Sequence, residues 1–150
     1  PLSLLAWYNA FANDGKYVRP RLIKSISGDA IDSTNQVTYI NPTLCSAKTA
    51  SIMREMLAKV VWGQHGTARI LRNDQVKIAG KTGTGYIVKD NRYDMAKRRV
   101  SFTGYFPADN PKYSCIVVIN APSGRISAAQ SSGTVAKNIA LNLKDKGLLD

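Results

Sequence analysis

The sequence predicts an α+β fold, and three observations carry that reading. Apolar residues recur at helical spacing near both ends and once in the middle. Three strand-like runs follow one another between Val76 and Ala121, and a strong turn signal, Pro107-Ala108-Asp109-Asn110-Pro111, joins the last two. The resulting order is helix, strands, helix, three antiparallel strands, helix, which sets helices around a meander instead of alternating them with parallel strands. At 150 residues the chain is long enough for one domain with a core.

Each element has its own signal. Residues 1 to 14 read as a helix because Leu4, Trp7, Tyr8, Phe11 and Ala12 share one face, and Gly15 suits the left-handed position that ends it. Tyr17 to Ile26 reads as an edge strand broken by Pro20, residues 27 to 36 as a polar turn region, and Val37 to Ile40 as a short returning strand. A second helix spans about Ser46 to Val61, with Ser46 as N-cap and Ala50, Met53, Met56, Leu57, Val60 and Val61 at helical spacing; Gly63 stops it. A helical turn is expected near Thr67 to Leu71. Strands follow over Val76 to Val88, Arg99 to Phe106 and Tyr113 to Ala121, with a long charged loop from Lys89 to Arg98. In the middle strand Val100, Phe102, Gly104 and Phe106 alternate with Arg99, Ser101, Thr103 and Tyr105, which predicts unequal faces. The run Cys115 to Ile119 is apolar throughout, as when both faces are covered. A last helix runs from about Thr134 to Lys146, with Val135, Ile139, Ala140 and Leu143 inward.

Composition narrows the function classes. The chain is 44% hydrophobic and 21% charged, as in ordinary globular proteins, and no apolar run reaches the length of a membrane span. It opens on a helix already under way, which suggests a piece of something longer. Net charge is +11, which favours anionic partners: nucleic acid, a phospholipid surface or an acidic polymer. The basic residues are scattered except for Lys97-Arg98-Arg99, and aromatics do not interleave with them as a stacking platform requires. No nucleic acid is therefore expected as the partner, and a basic binding module stays as the alternative reading. His65 is the single histidine and has no ligand cluster around it, so neither a metal nor another cofactor is expected. Cys115 reads as a buried small hydrophobe and Cys45 as a residue near a helix start; nothing requires them to pair.

The stretch Val76-Lys77-Ile78-Ala79-Gly80-Lys81-Thr82-Gly83-Thr84 carries the chemistry. Gly80-Lys81-Thr82 matches the end of a phosphate loop, but Gln75 stands where that pattern needs a glycine, and an extended strand cannot curl its amides round phosphates. A strand edge of this composition has another use. Gly83 leaves space for a second peptide backbone, and Lys81 offers a positive charge. The hydroxyls of Thr82 and Thr84 can hold a carboxylate, and the Thr84 amide can face a developing oxyanion.

The chain resembles the C-terminal part of a penicillin-binding protein transpeptidase domain, nearest the class B type that builds cell wall. The resemblance rests on Ala12-Asn13-Asp14-Gly15 followed by Val18-Arg19-Pro20-Arg21-Leu22, then Gly66-Thr67-Ala68, then Ala79 to Thr84, Phe102-Thr103-Gly104-Tyr105-Phe106-Pro107 and Gly133-Thr134-Val135-Ala136. It implies an incomplete penicillin-binding transpeptidase or serine β-lactamase-like domain over residues 1–150. The implied activity is serine acyl transfer on a D-Ala-D-Ala stem peptide, with β-lactams as mimics, in peptidoglycan cross-linking. Carried over, Lys81 and Thr84 are the catalytic residues of this part, and Lys81, Thr82, Gly83 and Thr84 bind substrate. The parent is expected outside the cytoplasmic membrane, anchored to it. A serine β-lactamase relative shares the Lys-Thr-Gly strand and remains a further alternative.

The departure is the nucleophile. No lysine of this chain has a serine three residues before it; the nearest imitations are Cys45-Ser46-Ala47-Lys48 and Thr134-Val135-Ala136-Lys137. Ser33-Thr34-Asn35 matches Ser-x-Asn but lies in a polar turn on the wrong side of the first helix in chain order. One wall of a site cannot perform acyl transfer without its nucleophile and base, so the chain alone is expected to be inert. An uncovered sheet face is expected to favour self-association, or packing against the N-terminal part of the same domain.

Overall fold

Helix α1 (Leu2–Ala12) opens the computed structural model, which describes residues 1–28, 31–34, 36–124 and 126–149. Asp14 and Gly15 take positive φ of 51° and 84°, and the Gly15 amide donates back to the Ala10 carbonyl at 2.8 Å. A side chain at Gly15 would meet the Cys45 carbonyl oxygen at 2.3 Å, so the position needs glycine for space as well as for conformation. The buried residues of α1 are Ala6 and Ala10, while Leu4 and Trp7 are exposed. Of the expected inner face, Tyr8, Phe11 and Ala12 do pack against the buried cluster of Leu57, Ala79 and Tyr105, and the correction concerns Leu4 and Trp7. The alanines let the helix approach the sheet closely, and Trp7 instead lies near the rings of Phe11 and Tyr17 at 6.4 and 5.8 Å.

Helix α2 (Ala47–Trp62) follows its sequence signals closely: the Ser46 hydroxyl accepts from the Thr49 amide at 3.1 Å, and Ala50, Leu57 and Val61 are buried. Met56 faces solvent. Arg54 ties α2 to α1, donating to the Phe11 carbonyl at 3.0 Å and to the Asp14 carboxylate at 2.7 Å. A cation thereby meets the unsatisfied carbonyls at the C-terminal end of α1.

Between these helices lie two small two-stranded pairs. β1 (Tyr17–Val18) pairs with β4 (Tyr39–Asn41), and β2 (Ser25–Gly28) pairs with β3 (Ile31–Thr34), all antiparallel. The expected single strand from Tyr17 to Ile26 is thus two strands in different sheets, separated by the segment holding Pro20. The expected polar turn is in part a hairpin. Ser33 and Thr34 sit in β3, and Asn35 lies outside the described residues.

The main sheet has the order β5-β6-β7: β5 (Ala79–Lys89), β6 (Arg92–Phe106) and β7 (Tyr113–Asn120). The expected meander is present, but the charged loop from Lys89 to Arg98 is mostly strand. Asp90 and Asn91 both have positive φ, 51° and 58°, and form the two-residue turn of a hairpin. β7 covers only Arg99 to Phe106, so the β5–β6 hairpin runs beyond it as a two-stranded arm with irregular pairing after Tyr86. α1 covers one face of the sheet and the C-terminal helix the other. Thr103 and Tyr105 are therefore buried alongside Phe102, Gly104 and Phe106, so the middle strand is covered on both sides at this end. β7 is an edge strand, and Cys115 to Ile119 is only partly buried, against the expectation of two covered faces. Both cysteines are free, and burial pushes the Cys115 thiol pKa up.

A five-residue π turn (Ala129–Gly133) leads into α3 (Thr134–Asp145). Ala140 and Leu143 lie inward as expected and Ala136 is buried with them, while Val135 and Ile139, also expected inward, are exposed. Small residues again win the tight contact. One core joins α3 and the end of α2 to the sheet through Val61, Leu71, Ile78, Phe102, Phe106 and Ala140; a second joins α1 and α2 through Leu57, Ala79 and Tyr105.

Candidate active site

Among the described residues, the strand β5 that carries Lys81 to Thr84 is an edge strand of the main sheet, with β6 on one side only. What fixes it is a close approach one residue earlier. Gly80 stands opposite Gly104, and a side chain at Gly80 would meet the Thr103 carbonyl oxygen at 2.5 Å and the Phe102 ring at 2.7 Å. A side chain at Gly104 would meet the Ala79 carbonyl oxygen at 2.2 Å. Glycine at both positions lets β5 and β6 close tightly just before the motif. At Gly83 the constraint is milder: the nearest atom to an added side chain is the Ser101 hydroxyl oxygen, at 2.6 Å.

The motif itself is open. Lys81 and Thr84 are exposed, Thr82 and Gly83 half-buried. The Lys81 ammonium donates to the Thr82 carbonyl at 2.9 Å and to the Thr82 hydroxyl at 3.4 Å. Strand periodicity places Gly80, Thr82 and Thr84 on one face, with Lys81 and Gly83 on the other. The Arg98 carbonyl accepts from the Ala121 amide at 2.7 Å, so the even-numbered residues of β6 bond towards β7. Gly80, Thr82 and Thr84 stand opposite even-numbered residues, and their amides and carbonyls turn away from β6. The bond from Lys81 to the Thr82 carbonyl fits that orientation. The strand thus presents two hydroxyls at a two-residue spacing, a backbone amide at Thr84 and one cation along a single free edge.

One neighbour of this edge carried no role in the sequence. The Thr67 hydroxyl lies 3.3 Å from the Thr82 hydroxyl. Thr67 follows the C-terminal end of α2, which three groups hold together. Arg72 donates to the carbonyls of Val61, Trp62 and Gly63 at 2.8, 2.9 and 2.8 Å. The Ala68 amide donates to the Val60 carbonyl at 3.0 Å, and the Trp62 indole donates to the Ile78 carbonyl at 3.1 Å, one residue before β5 begins. A side chain at Gly66 would meet the Val60 carbonyl oxygen at 2.2 Å. Gly66-Thr67-Ala68 was visible as a sequence segment, but its nearness to Thr82 depends on how α2 docks on β5.

The profile of the penicillin binding protein transpeptidase domain matches residues 1–144. The chain belongs to this family. It is 32% identical over 145 residues to stage V sporulation protein D of Bacillus subtilis, covering 95% of this chain and 22% of that protein. It is 30% identical over 148 residues to penicillin-binding protein PbpB of Mycobacterium tuberculosis, covering 93% of this chain and 22% of that one. Among solved structures, penicillin-binding protein 3 of Mycobacterium tuberculosis complexed with ampicillin superposes with a TM-score of 0.80 at 29% identity, over 97% of this chain and 34% of that one. The transpeptidase domain of penicillin-binding protein 3 from Burkholderia pseudomallei gives 0.68 at 31% identity, over 93% and 42%. The family reading and the α+β fold drawn from the sequence are borne out by these matches. The chain spans less than half the length of each of these relatives, and about a fifth of the first two.

Proposed function

We propose that this chain is the substrate-binding wall of a peptidoglycan D,D-transpeptidase, acting in cell-wall cross-linking through a serine acyl-enzyme. The observation that carries the proposal is the Lys81–Thr84 edge, accessible and fixed by the Gly80–Gly104 contact, within a transpeptidase family match. Thr82 and Thr84 grip the terminal carboxylate of the donor stem peptide. Lys81 supplies the positive field, and Gly83 lets the donor's main chain lie against the strand. A serine hydroxyl attacks the penultimate D-alanine carbonyl, its proton passing to a base, and the Thr84 amide donates to the oxygen on which charge develops. Collapse expels the terminal D-alanine, whose nitrogen takes up a proton. The amine of a second stem peptide then displaces the serine oxygen and restores the hydroxyl.

No Ser-x-x-Lys occurs in these 150 residues, so the nucleophile and its lysine come from outside them. β-Lactams occupy the same place, a reading supported by the ampicillin and aztreonam complexes of the related Mycobacterium tuberculosis protein. The site works at the cell envelope, on the outer face of the cytoplasmic membrane. No helix among the described residues is long and apolar enough to cross a membrane. The nucleophile-bearing part packs over the sheet face beside α1, where Pro1, Leu4, Ser101, Ile116 and Val118 line an open groove. Without that part the face drives self-association, and concentration-dependent sedimentation of the isolated chain checks it; a strict monomer at high concentration contradicts it.

A fluorescent penicillin tests the main claim. The 150-residue chain is expected to remain unlabelled, and a longer polypeptide that includes the residues upstream of Pro1 is expected to be labelled at one serine. Stoichiometric labelling of the short chain, or none of the long one, would overturn the reading.

A further inference from the structure

We infer that Thr67 is a positioning residue: its hydroxyl fills the second acceptor site of the Thr82 hydroxyl and so aims the single Thr82 proton at the substrate carboxylate. The inference deepens the proposed function and rests on it for the identity of the anion. A threonine hydroxyl has one proton and two lone pairs. Thr82 already accepts from the Lys81 ammonium at 3.4 Å, and the Thr67 hydroxyl stands 3.3 Å away. When a carboxylate arrives it can only accept, so Thr82 must give it the proton. Thr67 must then turn its own proton towards Thr82. With Lys81 and Thr67 both donating, the Thr82 hydroxyl has one direction left for its proton. Both contacts are long for their type, which leaves room for them to shorten when the anion draws the Thr82 proton outward.

The scaffold behind Thr67 suits such a role. Arg72 holds three successive carbonyls at the end of α2, and the Ala68 amide is anchored to Val60. Trp62 binds the same helix end to Ile78. Thr67 is exposed, so its side chain contributes little to the core and is free to be judged by its hydroxyl.

The test compares Thr67→Val, which keeps shape and removes the hydroxyl, with Thr67→Ser, which keeps the hydroxyl. In the 150-residue chain, three-bond couplings of Thr82 report its χ1. Thr67→Val is expected to average that rotamer and Thr67→Ser to preserve it, at unchanged melting temperature. In the longer polypeptide, penicillin acylation is expected to slow about fivefold to tenfold in Thr67→Val, the loss of roughly one neutral hydrogen bond, and to recover in Thr67→Ser. In a Thr82→Val background the same change is expected to have no further effect, because its route has gone. An unchanged Thr82 rotamer with unchanged acylation in Thr67→Val would overturn the inference, as would full additivity with Thr82→Val. A wild-type long polypeptide that is never acylated would instead sink the proposed function, and the rotamer measurement would still decide whether Thr67 orders Thr82.

Discussion

The two halves of the β5–β6 hairpin share one ladder and differ in almost everything else. At the inner end Ile78, Ala79, Phe102 and Tyr105 are wholly or almost wholly buried, helices cover both faces, and Gly80 meets Gly104 with no space for a methyl group. At the outer end Tyr86, Val88 and Tyr93 are 46%, 60% and 70% exposed, β7 has already ended, and among the described residues nothing lies within 4 Å of a side chain added at Gly85. Lys81 to Thr84 occupies the boundary. The packed half holds the motif still and the open half leaves its edge reachable. The binding edge proposed above needs both, and neither half alone would provide them.

That contrast can be broken by substitution. Phe102→Ala should be the most damaging change, at about 4 kcal/mol of unfolding free energy, since it empties the core shared by α3 and the sheet. Gly104→Val should cost about 3 kcal/mol, because the clash is with the backbone of Ala79 and Gly80, which cannot swing aside. The matching change in the outer half, Gly85→Val, should stay within about 0.5 kcal/mol or stabilise the strand. Urea unfolding of the three variants measures all of this, and equal costs at Gly104 and Gly85 would erase the distinction.

A smaller effect concerns Tyr105, whose hydroxyl donates to the Arg54 carbonyl at 3.4 Å. Burial pushes its pKa up to about 12 from an ordinary 10.0, outweighing the lowering effect of Arg54. The unfolded chain then loses this proton first, so stability should fall as pH rises from about 10 to about 12. Tyr105→Phe should flatten that part of the profile and cost within about 1 kcal/mol at neutral pH. Least of all, Tyr93→Ser in the arm should change stability by no more than about 0.5 kcal/mol. Thermal scans across the alkaline range follow the first, and a single unfolding curve the second.

How much of this was legible varies by element. α2 was readable because Ser46 caps it and its apolar residues keep helical spacing. The meander was readable because Pro107 to Pro111 breaks the chain between two apolar runs. The motif was readable because a lysine, two hydroxyls and a glycine interrupt a strand. The arm was not, because its charges suggested a loop and hid the Asp90-Asn91 turn that could have revealed the hairpin. Periodicity placed Ala140 and Leu143 inside correctly, but it also placed Val135 and Ile139 there, whereas Ala136 is the residue buried beside Ala140. Such a choice depends on the distance between elements, which no single segment encodes. The position of Thr67 opposite Thr82 is of the same kind.

The roles given to Thr82 and Thr84 are most directly tested by the structure of a β-lactam-acylated form of the longer polypeptide. The drug's carboxylate should lie about 3 Å from both threonine hydroxyls, with the acyl carbonyl oxygen at the Thr84 amide. A carboxylate bound elsewhere, with the Lys81–Thr84 edge untouched by the ligand, would contradict them.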